Sequence, residues 1–179
     1  MSADLLWPNA QSPEDITAIE EIPLDSRGLP ACTYDVVLRA ARLWPDRIAI
    51  TVLPDGTDYA RSARRTFGEV AADVTRAAKA LRHLGLDRRK AALLISPNCD
   101  ELITATLAAE AAGIAVPING SLSGEHIAEL ARLSGARILI TAAPELDPAG
   151  VQRAAALAEA GLIDTVILRL SRSAPVTMS

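Results

Sequence analysis

The polar loop NGSLSG (residues 119–124) has the residue types and the position that best suit a binding site in this sequence. It follows an apolar run that predicts a strand and precedes a predicted helix, and open α/β sheets bind ligands at such strand ends. Ser123, at the helix start, would leave backbone amides free for an anion. The loop has no Lys and no Gly-x-Gly-x-x-Gly pattern. The sequence therefore favours the alternative of a turn, in which Pro117 ends strand pairing and Asn119-Gly120 reverses the chain.

Other residues that could transfer protons have no partner that the sequence makes evident. His83 is expected in the last turn of a helix and His126 in a first turn beside Glu125, and neither has a second His or Cys at ligand spacing or an evident serine nucleophile nearby. A catalytic histidine needs such a positioned partner, so both are interpreted as structural or exposed. Glu110 is expected on the solvent face of an Ala-rich helix, and Glu20-Glu21 lie in an N-terminal lead-in. The residues alone thus identify no catalytic, cofactor-binding or metal-binding position.

Composition excludes some classes of protein. The 179 residues suit one domain, and their net charge of −4 argues against nucleic acid, which needs a basic face. The Arg-rich pieces ARSARR (residues 60–65) and DRRK (residues 87–90) are interpreted as solvated loops. Cys32 and Cys99 are far apart and fit no metal pattern, which favours reduced thiols over a disulfide.

Neither a leader nor a membrane span is predicted. The N-terminus is acidic where a signal peptide would be basic and apolar. The apolar run of residues 91–118 is interrupted by Asn98, Asp100, Glu101 and Glu110. We therefore expect a cytoplasmic protein.

The first elements that could position these residues are a helix and a hairpin. Residues 1 to about 30 read as an irregular lead-in. The segment TYDVVLRAARLWPD (residues 33–46) has helical spacing and stops at Pro45. Residues 47–65 then predict two strands joined at Asp55-Gly56.

Beyond the hairpin, one pattern recurs: a capping residue, a helix, a glycine and a short apolar strand. The predicted caps are the Thr66/Glu69 capping box, a similar Asn98/Glu101 pair, Ser123, and Asp147 before Pro148. The glycines expected to end these helices in left-handed conformation are Gly85, Gly113, Gly135 and Gly161. Short connections and alternating elements predict an α/β fold: a layered, mostly parallel sheet with flanking helices, preceded by a β-hairpin.

The order of these motifs resembles the start of the AMP-forming acyl-CoA synthetases, which belong to the adenylate-forming superfamily. The segment TFGEV (residues 66–70) is similar to the first core motif, and AAGIAVPINGSL (residues 111–122) is similar to the second. The similarity extends over residues 33–141, with Gly120 at a position where the family often has Pro. It implies a lead-in at residues 1–30, an N-terminal α/β subdomain of an AMP-binding domain at residues 31–170, and a tail at residues 171–179.

The resemblance also implies an activity for the whole enzyme. In this family a carboxylic or fatty acid is activated with ATP and Mg to an acyl-adenylate, and coenzyme A then displaces AMP. The phosphate loop ending in Pro-Lys and the catalytic Lys of the family do not occur in the sequence, so no cofactor and no catalytic residue is assigned to this fragment. We expect an inactive N-terminal scaffold whose surfaces, uncovered by truncation, favour self-association.

Two other classes of protein remain as hypotheses. One is a free-standing, non-catalytic α/β binding or interaction module. The other is a Rossmann-like nucleotide binder, which the absence of a Gly-rich turn after any predicted strand disfavours.

Overall fold

A computed structural model describes residues 10–53 and 62–169. The helices are α1 Pro13–Glu20, α2 Thr33–Leu43, α3 Phe67–His83, α4 Asp100–Ala112, α5 Gly124–Ser134 and α6 Pro148–Glu159. The strands are β1 Ile48–Val52, β2 Ala63–Thr66, β3 Ala91–Ile95, β4 Ile114–Pro117, β5 Ile138–Ala142 and β6 Thr165–Arg169. This order confirms the predicted fold class.

The main sheet contains four parallel strands in the order β4-β3-β5-β6. Every residue of β3 and β5 is buried, as expected for the inner strands of a parallel sheet covered on both faces. The strands β1 and β2 form a separate antiparallel pair, which confirms the hairpin. Its predicted Asp55-Gly56 turn lies outside the described residues.

Alternate residues of the inner strands face two apolar layers. Ala92 and Leu94 of β3 contact the layer that α3 and α4 provide, whereas Leu93 and Ile95 contact the layer from α5 and α6. The sheet therefore lies between two layers of helices. Successive side chains of a strand point to opposite faces, so neighbouring residues pack into different layers.

The local signals at helix ends were confirmed at several positions. Thr66 and Glu69 form the predicted capping box at the start of α3. Gly85, Gly135 and Gly161 have φ values of 90°, 62° and 67°, a conformation that residues with a Cβ rarely adopt. These glycines turn the chain from a helix towards the next strand.

The prediction that Gly113 ends α4 in a left-handed conformation was wrong. Its φ of −164° is extended rather than left-handed. A Cβ at this position would lie 2.6 Å from the carbonyl oxygen of Asp87 and 2.7 Å from that of Lys90. Glycine is therefore required because the end of α4 packs directly on the backbone of the α3–β3 loop.

The lead-in is more regular than the sequence indicated. It contains α1, which begins with a capping box between Ser12 and Asp15, and a 3-10 helix, Leu24–Arg27. Neither helix has a buried residue. No helix in the described part of the chain is long and apolar enough to cross a membrane.

A candidate site at the carboxyl edge of the sheet

The strand order creates a switch point between β3 and β5. From β3 the chain crosses through α4 to β4 on one side, and it then returns through α5 to β5 on the other side. The connecting helices α4 and α5 lie on opposite faces of the sheet. The carboxyl ends of β3 and β5 therefore border the crevice in which open α/β sheets hold ligands.

A small cavity lies at this switch point on the α4 side. Ser96 and Cys99 follow β3, Glu101 lies in the first turn of α4, and Thr141 ends β5; all four line the cavity together with apolar side chains. Its volume is about 10 Å³, which is about the space that one water molecule needs. The cavity cannot admit a nucleotide or an acyl chain.

Cys99 is not poised as a nucleophile. Its Sγ lies 3.7 Å from Ser96 Oγ, and burial raises the pKa of the thiol, an effect that the hydrogen bond with the backbone of Leu102 only partly offsets. Because the thiolate is the reactive form, a raised pKa keeps this cysteine inert at neutral pH. Cys99 is also the residue that precedes α4.

The predicted Asn98/Glu101 cap was therefore wrong. The helix begins one residue later than the capping pattern required, so Glu101 occupies the second helical position instead of the third. Glu101 is 6% exposed and lines the cavity. Asp100 and Glu101 still place acidic groups in the first turn, where the helix dipole favours them.

An ionic cluster joins the hairpin to the two helices behind the site. Arg65 of β2 forms ion pairs with Asp73 of α3 and, at 3.1 Å, with Asp100 of α4. Exposed Arg76 pairs with the other oxygen of Asp73. Burial would raise the pKa of Asp100, but hydrogen bonding that involves the side chains of Glu101 and Arg65, together with the charge of Arg65, outweighs it and lowers the pKa. The cluster holds the start of α4 in place, and all of its cations are committed to carboxylates.

The sequence did not identify Arg65 as important. It was grouped with the solvated piece ARSARR, although its side chain is only 16% exposed. A signal was present: Arg65 directly precedes the Thr66 cap, so the strand must deliver it next to the first turn of α3. Its partner Asp100 is 35 residues away, and no local pattern predicts that contact.

The loop after β4 forms a turn, as the sequence favoured. Asn119 Oδ1 accepts a hydrogen bond from the Ser121 amide at 2.9 Å. Ser123 Oγ accepts from the His126 amide at 3.3 Å, which confirms Ser123 as the cap of α5.

His126 lies beside the hydroxyl group that caps its own helix. Ser123 Oγ is 2.8 Å from His126 Nδ1. Both side chains are exposed, and the same hydroxyl accepts the backbone bond that caps the helix. Among residues 10–53 and 62–169 no third group is recorded that orients the imidazole, so the contact is explained by capping rather than by nucleophilic catalysis.

Behind this loop lies another paired cation, Arg153. Asp147 precedes α6 as predicted, but its carboxylate makes an ion pair with Arg153 and caps no backbone amide. The prediction of a side-chain cap was therefore wrong. Arg153 also packs beneath Gly120, where a Cβ would lie 3.4 Å from Nη2. This arginine is thus used to support the loop.

The remaining residues singled out in the sequence do not converge. His83 ends α3, Glu110 is exposed near the end of α4, Glu20 ends α1 and Glu21 follows it. Among residues 10–53 and 62–169, no three His, Cys, Asp or Glu side chains are arranged to hold a metal ion.

Comparison with known proteins gives the family. The sequence matches the family described as AMP-binding enzyme over residues 37–177. A marinolic acid–CoA ligase from Pseudoalteromonas sp. (strain SANK 73390) is 25% identical over 143 residues, which cover 80% of this chain and 22% of the relative. The chain thus spans about a fifth of the length of that curated relative.

Solved structures share the fold. The N-terminal domain of FACL13 from Mycobacterium tuberculosis matches with a TM-score of 0.63 and 22% identity, over 77% of this chain and 33% of that one. A putative long-chain-fatty-acid CoA ligase from Rhodopseudomonas palustris also matches with a TM-score of 0.63, at 26% identity, over 80% of this chain and 34% of that one.

Proposed function

The chain belongs to the AMP-binding enzyme family, and from this premise we propose that it forms the N-terminal scaffold portion of an ATP-dependent acyl-CoA synthetase. In that reaction a carboxylate attacks the α-phosphate of ATP, pyrophosphate leaves, and the thiol of coenzyme A displaces AMP from the acyl-adenylate. The family match over residues 37–177 carries the proposal. The named CoA ligases among the similar proteins support the choice of an acyl-CoA synthetase within the family.

The described residues do not fit the triphosphate of ATP. Stabilising transferred phosphoryl charge takes cations aimed at the phosphates. At the carboxyl edge, however, Arg65 is committed to Asp73 and Asp100, and Arg153 is committed to Asp147. The crevice between β3 and β5 leaves about 10 Å³. We therefore assign no catalytic step, no Mg ligand and no cofactor contact to these residues, and propose that they support a site built by other parts of the enzyme.

The proposal includes a carboxylic or fatty acid as the substrate of the whole enzyme and the cytoplasm as its location. The two cysteines support a reducing compartment, since Cys32 is exposed and Cys99 half-buried, and both are free.

The test is exchange of labelled pyrophosphate into ATP in the presence of fatty acids, with a complete acyl-CoA synthetase as positive control. The 179-residue chain is expected to give no exchange above background. Exchange that persists after contaminating enzymes are removed would refute the scaffold role.

A second measurement separates the proposal from the non-catalytic module. The natural reading frame after the codon for Ser179 should encode a Ser/Thr/Gly-rich loop that ends in Pro-Lys. A natural gene without that loop would favour the module. A thermal shift of the chain with ATP or NAD would instead favour a nucleotide binder, and none is expected.

A further inference from the structure

Five cations gather at the edge of the sheet opposite the candidate site. We call them the basic patch: Lys79, Arg82, Arg88, Arg89 and Lys90. All five are exposed. Lys79 and Arg82 are three residues apart on α3 and therefore share a helix face, and the others lie in the loop that leads into β3.

Hydrogen bonds combine the helix end and the loop into one surface. Lys90 Nζ donates to the carbonyl oxygen of Gly85 at 2.9 Å, which folds the loop back onto the end of α3. Arg82 Nη2 donates to the carbonyl oxygen of Ala111 at 2.7 Å and extends the surface to the end of α4. Leu84 lies between these groups and is 45% exposed. In the sequence DRRK reads as an isolated solvated loop, because the contact that extends this surface to α4 joins residues far apart in the chain.

The patch carries charge that its surroundings do not neutralise. Asp87 pairs with Lys90 at 3.3 Å, and Glu110 is exposed next to Ala111. The other four patch cations form no ion pair with a carboxylate of the described residues. Arg137, which lines the same surface pocket as Leu84 and Lys90, is paired with Asp164. In a chain of net charge −4, four exposed cations without an ion pair to a described carboxylate thus lie at this edge.

We propose that the basic patch docks peripherally on an anionic lipid surface, with Leu84 entering the headgroup region. Each Lys or Arg held near such a surface strengthens binding by about fivefold, and an exposed leucine among cations suits the boundary between headgroups and acyl chains. Nucleic acid is the less suitable partner because the patch presents an exposed leucine and has no aromatic residue on which bases could stack. The proposal does not depend on the proposed enzymatic function.

The chain contains a built-in probe of this contact, because Lys79 and Lys90 are its only lysines. The chain is mixed with phosphatidylcholine vesicles, with and without phosphatidylglycerol, an anionic lipid that has no amine of its own, and the lysines are labelled with an amine-reactive reagent. Phosphatidylglycerol should slow the labelling of Lys79, which makes no ion pair with a described carboxylate. Protection should vanish at about 1 M salt, where the Debye length falls to about 3 Å. Equal labelling with both vesicles at low salt would overturn the proposal.

Charge reversal identifies the surface. Arg88→Glu with Arg89→Glu should lower the vesicle partition coefficient about 25-fold or more, since each lost cation is worth about fivefold. Arg42→Glu with Arg64→Glu is the matched control, because both arginines are exposed and lie outside the patch.

A similar loss in both double variants would mean a non-specific charge effect and would overturn the proposal, as would RNA protecting the lysines while vesicles do not. If the patch variant fails to fold by circular dichroism, protection of Lys79 in the unaltered chain decides.

Discussion

Replacing Arg65 by Leu tests whether the ionic cluster holds the hairpin and α4 together. The guanidinium contacts three carboxylates: that of exposed Glu69 at 3.8 Å, and those of Asp73 and Asp100, whose side chains are 12% and 5% exposed. Breaking a buried ion pair costs about 3–5 kcal/mol because a charge stays behind in a poorly solvated place. Asp73 keeps Arg76 in this variant, so we expect the lower end, a loss of about 3 kcal/mol in the free energy of unfolding.

The matched control is Arg76→Leu. Arg76 pairs with the same Asp73, but its side chain is 66% exposed. Water screens such a pair, and the expected loss is under about 1 kcal/mol. Arg65→Lys should fall between the two, because an ammonium group cannot bridge two carboxylates as a planar guanidinium does.

The assay is urea unfolding followed by circular dichroism at neutral pH and low salt. A change in midpoint with an unchanged slope would mean that only stability has altered. The reasoning is refuted if Arg65→Leu and Arg76→Leu lose the same free energy, since burial would then not determine the strength of these pairs.

Four further outcomes are expected. Gly113→Ala should lower the free energy of unfolding by about 1–3 kcal/mol, because the new Cβ would meet two backbone oxygens. Gly124→Ala, which has open space around it, should instead raise it by a few tenths to about 1 kcal/mol. Urea midpoints that move in the same direction for both variants would contradict the packing argument. Because the pKa of Asp100 is lowered from 3.8, its ionised carboxylate stabilises the fold at neutral pH, and this stabilisation is lost as the pH falls through the folded-state pKa. Asp100→Asn should therefore lose stability less steeply than the unaltered chain when both are titrated with acid. Ser123→Ala should lower the free energy of unfolding by about 1 kcal/mol, because the cap of α5 is lost. An unchanged urea midpoint would mean that water replaces the hydroxyl group fully and would contradict this prediction. Self-association stays a prediction, based on the open edges of β4 and β6, and a monodisperse monomer in light scattering would contradict it.

Local sequence signals predicted most of the fold, since the information lies within a few residues of where it acts. The Thr66/Glu69 box and the left-handed glycines each depend on neighbours three or four positions away. The short apolar runs of β3 and β5 likewise predicted burial on both faces, because that pattern also lies within a few residues.

Long-range contacts explain the failures. Gly113 is glycine because of the backbone at Asp87 and Lys90, more than twenty positions away. Arg65 reaches Asp100, 35 residues along the chain. Asp147 is a different case, because it pairs with Arg153, only 6 residues away, instead of capping. Arginines are the residues whose roles the sequence concealed most, because an exposed arginine and a buried one look the same in a linear sequence.

The strand order also determines whether the sheet can form while the chain is still being synthesised. Strand β3 emerges first, β4 joins one of its edges, β5 joins the other, and β6 then joins β5. Each newly made strand finds a free edge, so none must be inserted between two partners that have already paired. A nascent chain, which folds from its N-terminus onwards, can therefore add strands to this sheet in the order of translation without undoing an earlier step.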